Sequence, residues 1–163
     1  MTGREPDLTK VIPITQLKGE DEDERRLLSQ LVQDAKAYLS SFEWCGEIQE
    51  EYAGITVAGV IGVFLMHIAP ARPEVDEWLW VIVGDVPPAY ITVDDCPNAA
   101  TALDGYIGAM QEWVDAMKEG RSVDELIPVN APATPAYAEM LESRLQFLDS
   151  RILSEYKEDL HES

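Results

Sequence analysis

Two cysteines, Cys45 and Cys96, and two histidines, His67 and His161, are the residues of this chain best suited to covalent or metal chemistry. Nucleophilic catalysis needs a thiolate and a base beside it. Cys45 or Cys96 with His67 is therefore the pairing to look for, because strand ends can converge. The cysteines are far apart and form no CxxC or CxH pattern, so zinc is not expected. His67 closes the most apolar stretch of the chain, which also suits a hydrogen-bonded structural histidine, while His161 falls in the C-terminal tail. Asp76-Glu77 and Asp94-Asp95 are adjacent carboxylate pairs, not the alternating oxygen ligands of a calcium loop. No GxSxG, P-loop, GxGxxG or HExxH is present. No catalytic residue, metal ligand or cofactor is assigned on these grounds.

Charge is the stronger signal. Thirty-one Asp and Glu face twelve Lys and Arg in 163 residues, a formal net charge of -19. Such a surface repels phosphate backbones and anionic membranes, so neither nucleic acid nor membrane is an expected partner. A basic protein is the natural complement, and the plain alternative is that acidity serves solubility. Hydrophobic residues at 46% and charged residues at 26% make a globular composition, sized for one domain with its own core. The N-terminal sequence has no apolar signal core, and residues 55–68 form an apolar run too short to span a bilayer. The expectation is a cytoplasmic bacterial-type protein with both thiols free.

The elements that would position these groups follow from periodicity. Residues 1–21 read as an irregular arm, in which Val11-Ile12-Pro13-Ile14 is a candidate edge segment. Acids at 20–24 open a helix over about 22–41 and complement its dipole. Four antiparallel strands are expected at about 44–52, 56–68, 77–84 and 89–94, the first turn lying at Ala53-Gly54 and the third at 84–88. Residues 55–68 are apolar on both faces, as in a strand covered on both sides. Helices follow at about 98–119 and 135–156. Between them Ser122-Val123-Asp124-Glu125 reads as a capping box for a short helix, and 128–133 as an extended linker. The tail 157–163 is expected to fray. An α+β fold results: a four-stranded antiparallel meander packed by an N-terminal helix and two C-terminal helices. It is two-layered, with room for a helix over part of the second face. Ile61, Val63, Phe64, Leu79, Val81, Ile107, Met110, Trp113, Leu141, Leu145 and Leu148 are the expected core.

Placed on this layout, the charge becomes local. Residues 44–97 hold nine acids and one Lys or Arg, Arg72. A meander sends alternate connections to opposite ends of the sheet. One end then gathers Glu43, Glu47, Glu74, Asp76, Glu77, Asp94 and Asp95, a candidate surface for a basic partner; the plain alternative is a solvated rim. Trp78 and Trp80 share one strand face, which either packs under a helix or forms an aromatic strip. With Asp85 and Tyr90 around the 84–90 turn, they complete the candidate partner-binding set.

The stretch Trp80-Val81-Ile82-Val83-Gly84-Asp85-Val86-Pro87-Pro88-Ala89-Tyr90-Ile91 resembles a signature of uncharacterised small bacterial proteins, to which no activity attaches. In size, acidity and mixed α/β layout the chain is similar in type to immunity proteins of bacterial toxin systems. That similarity implies a non-enzymatic module that binds and blocks a basic toxin or effector. Acidic secretion chaperones are a second similarity of type, although their strands are split around a helix. The leading expectation is partner binding without catalysis. The alternative from another class is a small enzyme using Cys45 or Cys96 with His67, or a carboxylate pair.

Overall fold

A computed structural model describes residues 8–127, 129 and 132–161. Part of the expected linker (Pro128, Asn130 and Ala131) and the side chain of His161 lie outside the described residues. The protein is α+β, with an antiparallel sheet between helices. Its strands are β1 (Ile12–Pro13), β2 (Glu47–Val57), β3 (Ile61–Ala69), β4 (Trp78–Gly84) and β5 (Ala89–Thr92). They lie in chain order, every neighbouring pair antiparallel. The sheet therefore has five strands, not the expected four. The N-terminal arm supplies the extra one, with Ile12 and Pro13 opposite Ala53 and Tyr52. A proline is tolerated there because β1 is an edge.

Helix α1 (Glu22–Ser40) begins where Asp21 accepts a hydrogen bond from the Glu24 N–H at 2.8 Å, with three acids in its first turn. Its buried stripe is Leu28, Leu31, Val32, Ala35 and Leu39. Helix α2 (Ala99–Glu119) opens with a reciprocal cap between Asn98 and Thr101 and ends at Gly120, at φ 71°. Helix α3 (Pro135–Phe147) is capped by Thr134 and carries proline at its start. Beyond Phe147 the helix does not stay α. It widens to a π turn over Leu148–Ile152 and tightens to a 3-10 turn over Leu153–Tyr156. Leu148, Ile152 and Leu153 nevertheless all stay in the core, on the stripe that Leu141 and Leu145 begin. The expected short helix at 122–125 is a single turn in which Ser122 Oγ accepts from the Asp124 N–H. Among the described residues the tail is tied down at Asp159: the Lys10 ammonium reaches its carboxylate at 2.7 Å, and Asn98 donates to its carbonyl.

The layer count follows from β3 and β4, which are apolar on both faces and buried along nearly their whole lengths. Ile61, Val63, Leu65, Trp80 and Ile82 pack with α2 and α3. Phe64, Met66, Ile68, Leu79, Val81 and Val83 pack with α1. The sheet is thus covered on both sides, with α1 forming the second helical layer for which the two-layer expectation left room. Of the expected core only Ile107 is half-exposed; the other ten residues are buried.

The first hairpin turns at 58–60, not at Ala53-Gly54. Gly59 is left-handed at φ 73°, and the Val60 N–H donates to the Val57 carbonyl at 2.9 Å. Gly54 instead lies inside β2, at a shift of register between Ala53 and Ile55. A Cβ there would stand 2.5 Å from the Ala99 Cβ, so this glycine lets α2 approach the strand. The moved turn lengthens β2 without changing which connections share an end of the sheet.

Candidate functional site

The acidic end is built by three segments. Trp44 and Glu47 lead into β2, residues 70–77 join β3 to β4, and residues 93–96 leave β5. Their backbones interlock: the Ala71 N–H donates to Trp44 at 3.0 Å, the Ile68 N–H to Glu77 at 2.8 Å, and Glu47 pairs in register with Ala69. After β5 the chain turns over Thr92, whose Oγ1 donates to Asp95 at 2.9 Å. The Asp76 carboxyl is held above the usual carboxylate range, first by partial burial and then by the negative charges of Asp94 and Asp95. The charges of Asp94 and Asp95 therefore reach Asp76. Glu74 and Glu77 are exposed on the adjoining loop, and Glu47 stands at the same end but on β2, two strands from β4. Arg72, the one Lys or Arg of this stretch, is paired with Glu43. Among the described residues no cation pairs with Asp76, Asp94 or Asp95.

Beside these acids lies an aromatic surface on the α1 face. Phe42 stacks on Trp44 with centroids 4.9 Å apart. Tyr90 meets Phe42 at 5.4 Å and Trp44 at 5.1 Å, edge to face, and Tyr38 backs Phe42 at 5.2 Å. Burial, then the neighbouring Tyr90, pushes the Tyr38 phenol up to about 12. A groove of about 210 Å³ runs between Trp44, Val75, Asp76, Leu79, Tyr90 and Thr92. Tyr90 was singled out by its place in the 84–90 stretch. Trp44 and Phe42 were not, although the spacing of Tyr38 and Phe42 at i, i+4 on a helix end was available as a signal.

The remaining candidates separate. Trp80 is 1% exposed and donates its indole N–H to the Cys96 carbonyl at 2.6 Å. It belongs to the core and offers nothing to a partner. The face it shares with Trp78 packs under helices, so there is no aromatic strip. Trp78 is half-buried at the strand end and stacks on His67 at 4.2 Å and 10°. Asp85 sits at the opposite end of the sheet, where Arg144 reaches it at 3.2 Å.

His67 is a hydrogen-bonded surface histidine. Its Nδ1 lies 2.8 Å from one Glu50 oxygen, and Tyr52 donates to the other at 2.8 Å. A carboxylate only accepts, so Nδ1 carries the proton. The bonds from Tyr52 and then His67 hold Glu50 below the usual carboxylate range. The two thiols are buried on opposite faces of the sheet. Cys45 is buried in the α1-side core, on the other face of the sheet from His67 and Trp78, and burial raises its pKa. Cys96 is buried on the α2 side; burial, then Asp95 and Asp104, pushes it up to about 11. Burial thus disfavours the thiolate at both positions. Among the described residues no three His, Cys, Asp or Glu converge as metal ligands, and no helix is long and apolar enough to cross a membrane.

Comparison with protein-family models, with curated proteins and with solved structures finds no match for this chain.

Proposed function

We propose that the protein is a non-enzymatic binding module whose acidic end docks a basic protein, in the manner of an immunity protein or inhibitor of a basic toxin or effector. The observation that carries this reading is the gathering of Asp94 and Asp95 about Asp76, with no cation among the described residues paired to any of the three. Uncompensated carboxylates cost stability by repulsion. A basic partner relieves that cost on binding, while water and salt relieve it only in part. The rigid aromatic surface beside the acids supports the same reading, since aromatic side chains anchor interfaces at little cost in conformational entropy. The enzyme alternative has less support, because burial disfavours the thiolate at both cysteines.

The test is kinetic. A partner captured from the native host should associate more slowly with the Asp76→Lys, Asp94→Lys double variant than with the wild type. The difference should shrink as salt rises, because steering by charge is screened beyond about 8 Å at physiological ionic strength. An unchanged association rate at low salt overturns the reading.

A further inference from the structure

We propose that the groove between Trp44, Tyr90 and Asp76 is an arginine pocket that receives one arginine side chain of the basic partner. This rests on the reading above and sharpens it from a charged surface to a chemically selective cavity.

Three features converge on a guanidinium. The walls are aromatic and fixed: Trp44 is stacked by Phe42 on one side and meets Tyr90 at 5.1 Å, so neither ring needs to be ordered by the ligand. The floor is apolar, from Leu79 and Val75, and suits a methylene stem. The lip carries Asp76, with Asp94 and Asp95 near enough to disfavour its charge, and no cation of the described residues answers it. An apolar side chain entering the groove would desolvate a carboxylate and leave it unpaired. An anionic group would be repelled. A bare metal ion lacks ligands, since no three metal-ligating groups converge among the described residues. Arginine satisfies every wall. Its planar cation lies against a ring face, and its fork gives a carboxylate two parallel N–H bonds. Lysine offers only a strongly hydrated point charge on a flexible stem.

The experiment titrates the full-length protein with acetyl-Gly-Arg-Gly-amide and with its lysine and citrulline counterparts. The Trp44 indole N–H resonance, identified with Trp44→Phe, is the readout. The arginine peptide should move that resonance saturably, the lysine peptide should bind several-fold more weakly, and the uncharged citrulline peptide should leave it in place. Asp76→Asn and Tyr90→Ala should each weaken the arginine peptide about tenfold, the loss expected for one charge-assisted contact or one ring face. Tyr90→Phe, which keeps the ring, should retain binding. Glu112→Gln removes one exposed charge from α2, away from the acidic end and the groove, and should change affinity less than about twofold because its effect is screened. Equal response to arginine and lysine, or an unmoved Trp44 resonance, overturns the pocket. Hexa-arginine and hexalysine separate the two levels of the argument. If both bind in a salt-dependent way while Trp44 stays silent, the acidic docking surface stands and the pocket falls. If neither binds at low salt, both fall.

Discussion

Asp76 and Cys96 show how far this fold bends its residues from their ordinary chemistry. Asp76 is harder to ionise in the folded chain than in the unfolded one, because of partial burial and then Asp94 and Asp95. The folded state therefore holds the proton more tightly, and this group adds stability as pH falls through the carboxylate range and subtracts it above. Asp76→Asn should consequently raise the melting temperature at neutral pH, more at low salt than at high; a lowered melting temperature would show that the Asp76 charge has a structural partner. Cys96, pushed up to about 11, works in the same direction at the alkaline end. The unfolded chain gives up its thiol proton near the ordinary thiol pKa of about 8.5, so that increment of stability is complete below that pH and is lost by about pH 11. The half-buried phenol of Tyr38 extends the loss toward 12. Iodoacetamide at pH 8 should accordingly modify both thiols far more slowly in the native protein than in denaturant, as mass spectrometry of the intact chain would record.

At the scale of elements, the decisive joints are where α2 and α3 meet the sheet. Leu145 of α3 is 1% exposed within the α2-side core. Leu145→Ala should cost about 2–5 kcal/mol in denaturant unfolding, through lost burial and the cavity left behind. The two glycines of the first hairpin give a sharper contrast. Gly54→Ala sets a methyl 2.5 Å from the Ala99 Cβ and 3.3 Å from the Val63 carbonyl, so α2 must move, at about 1–3 kcal/mol. Gly59→Ala meets only the flexible tip of Leu27 at 3.7 Å and carries left-handed backbone strain alone, about 1 kcal/mol. If Gly59→Ala proves the more damaging of the two, the register of β2 differs from that described.

The whole molecule carries its charge of -19 as self-repulsion. Its melting temperature should rise between about 10 mM and 150 mM sodium chloride, as the screening length contracts from roughly 30 to 8 Å. Binding of a basic partner should weaken over the same interval. Opposite salt responses of folding and binding are the signature of a surface whose charge serves recognition at some expense of stability. If the fold is indifferent to salt, the acids are too well solvated to support that view.

Periodicity and local chemistry alone determined the α+β class, the starts of the three long helices and the antiparallel order of β2 to β5, since these depend on side-chain spacing and on short connections. The caps at Asp21, Asn98 and Thr134 and the two-faced burial of β3 and β4 belong to the same class of local signal. Tertiary structure decided the rest. Ala53-Gly54 and Gly59 are equally good turn signals in the chain, and only the approach of Ala99 makes one of them strand. Ile12 and Pro13 form a strand only because the edge of β2 is there to pair with. Trp80 and Trp78, two residues apart on one strand face, differ because α2 closes over the first and leaves the second at the rim against His67. The Trp44–Tyr90 groove joins residues from either side of two strands and a loop. Spacing along a chain cannot announce such a site, because its walls become neighbours only when the sheet closes and α1 delivers Phe42 to its edge.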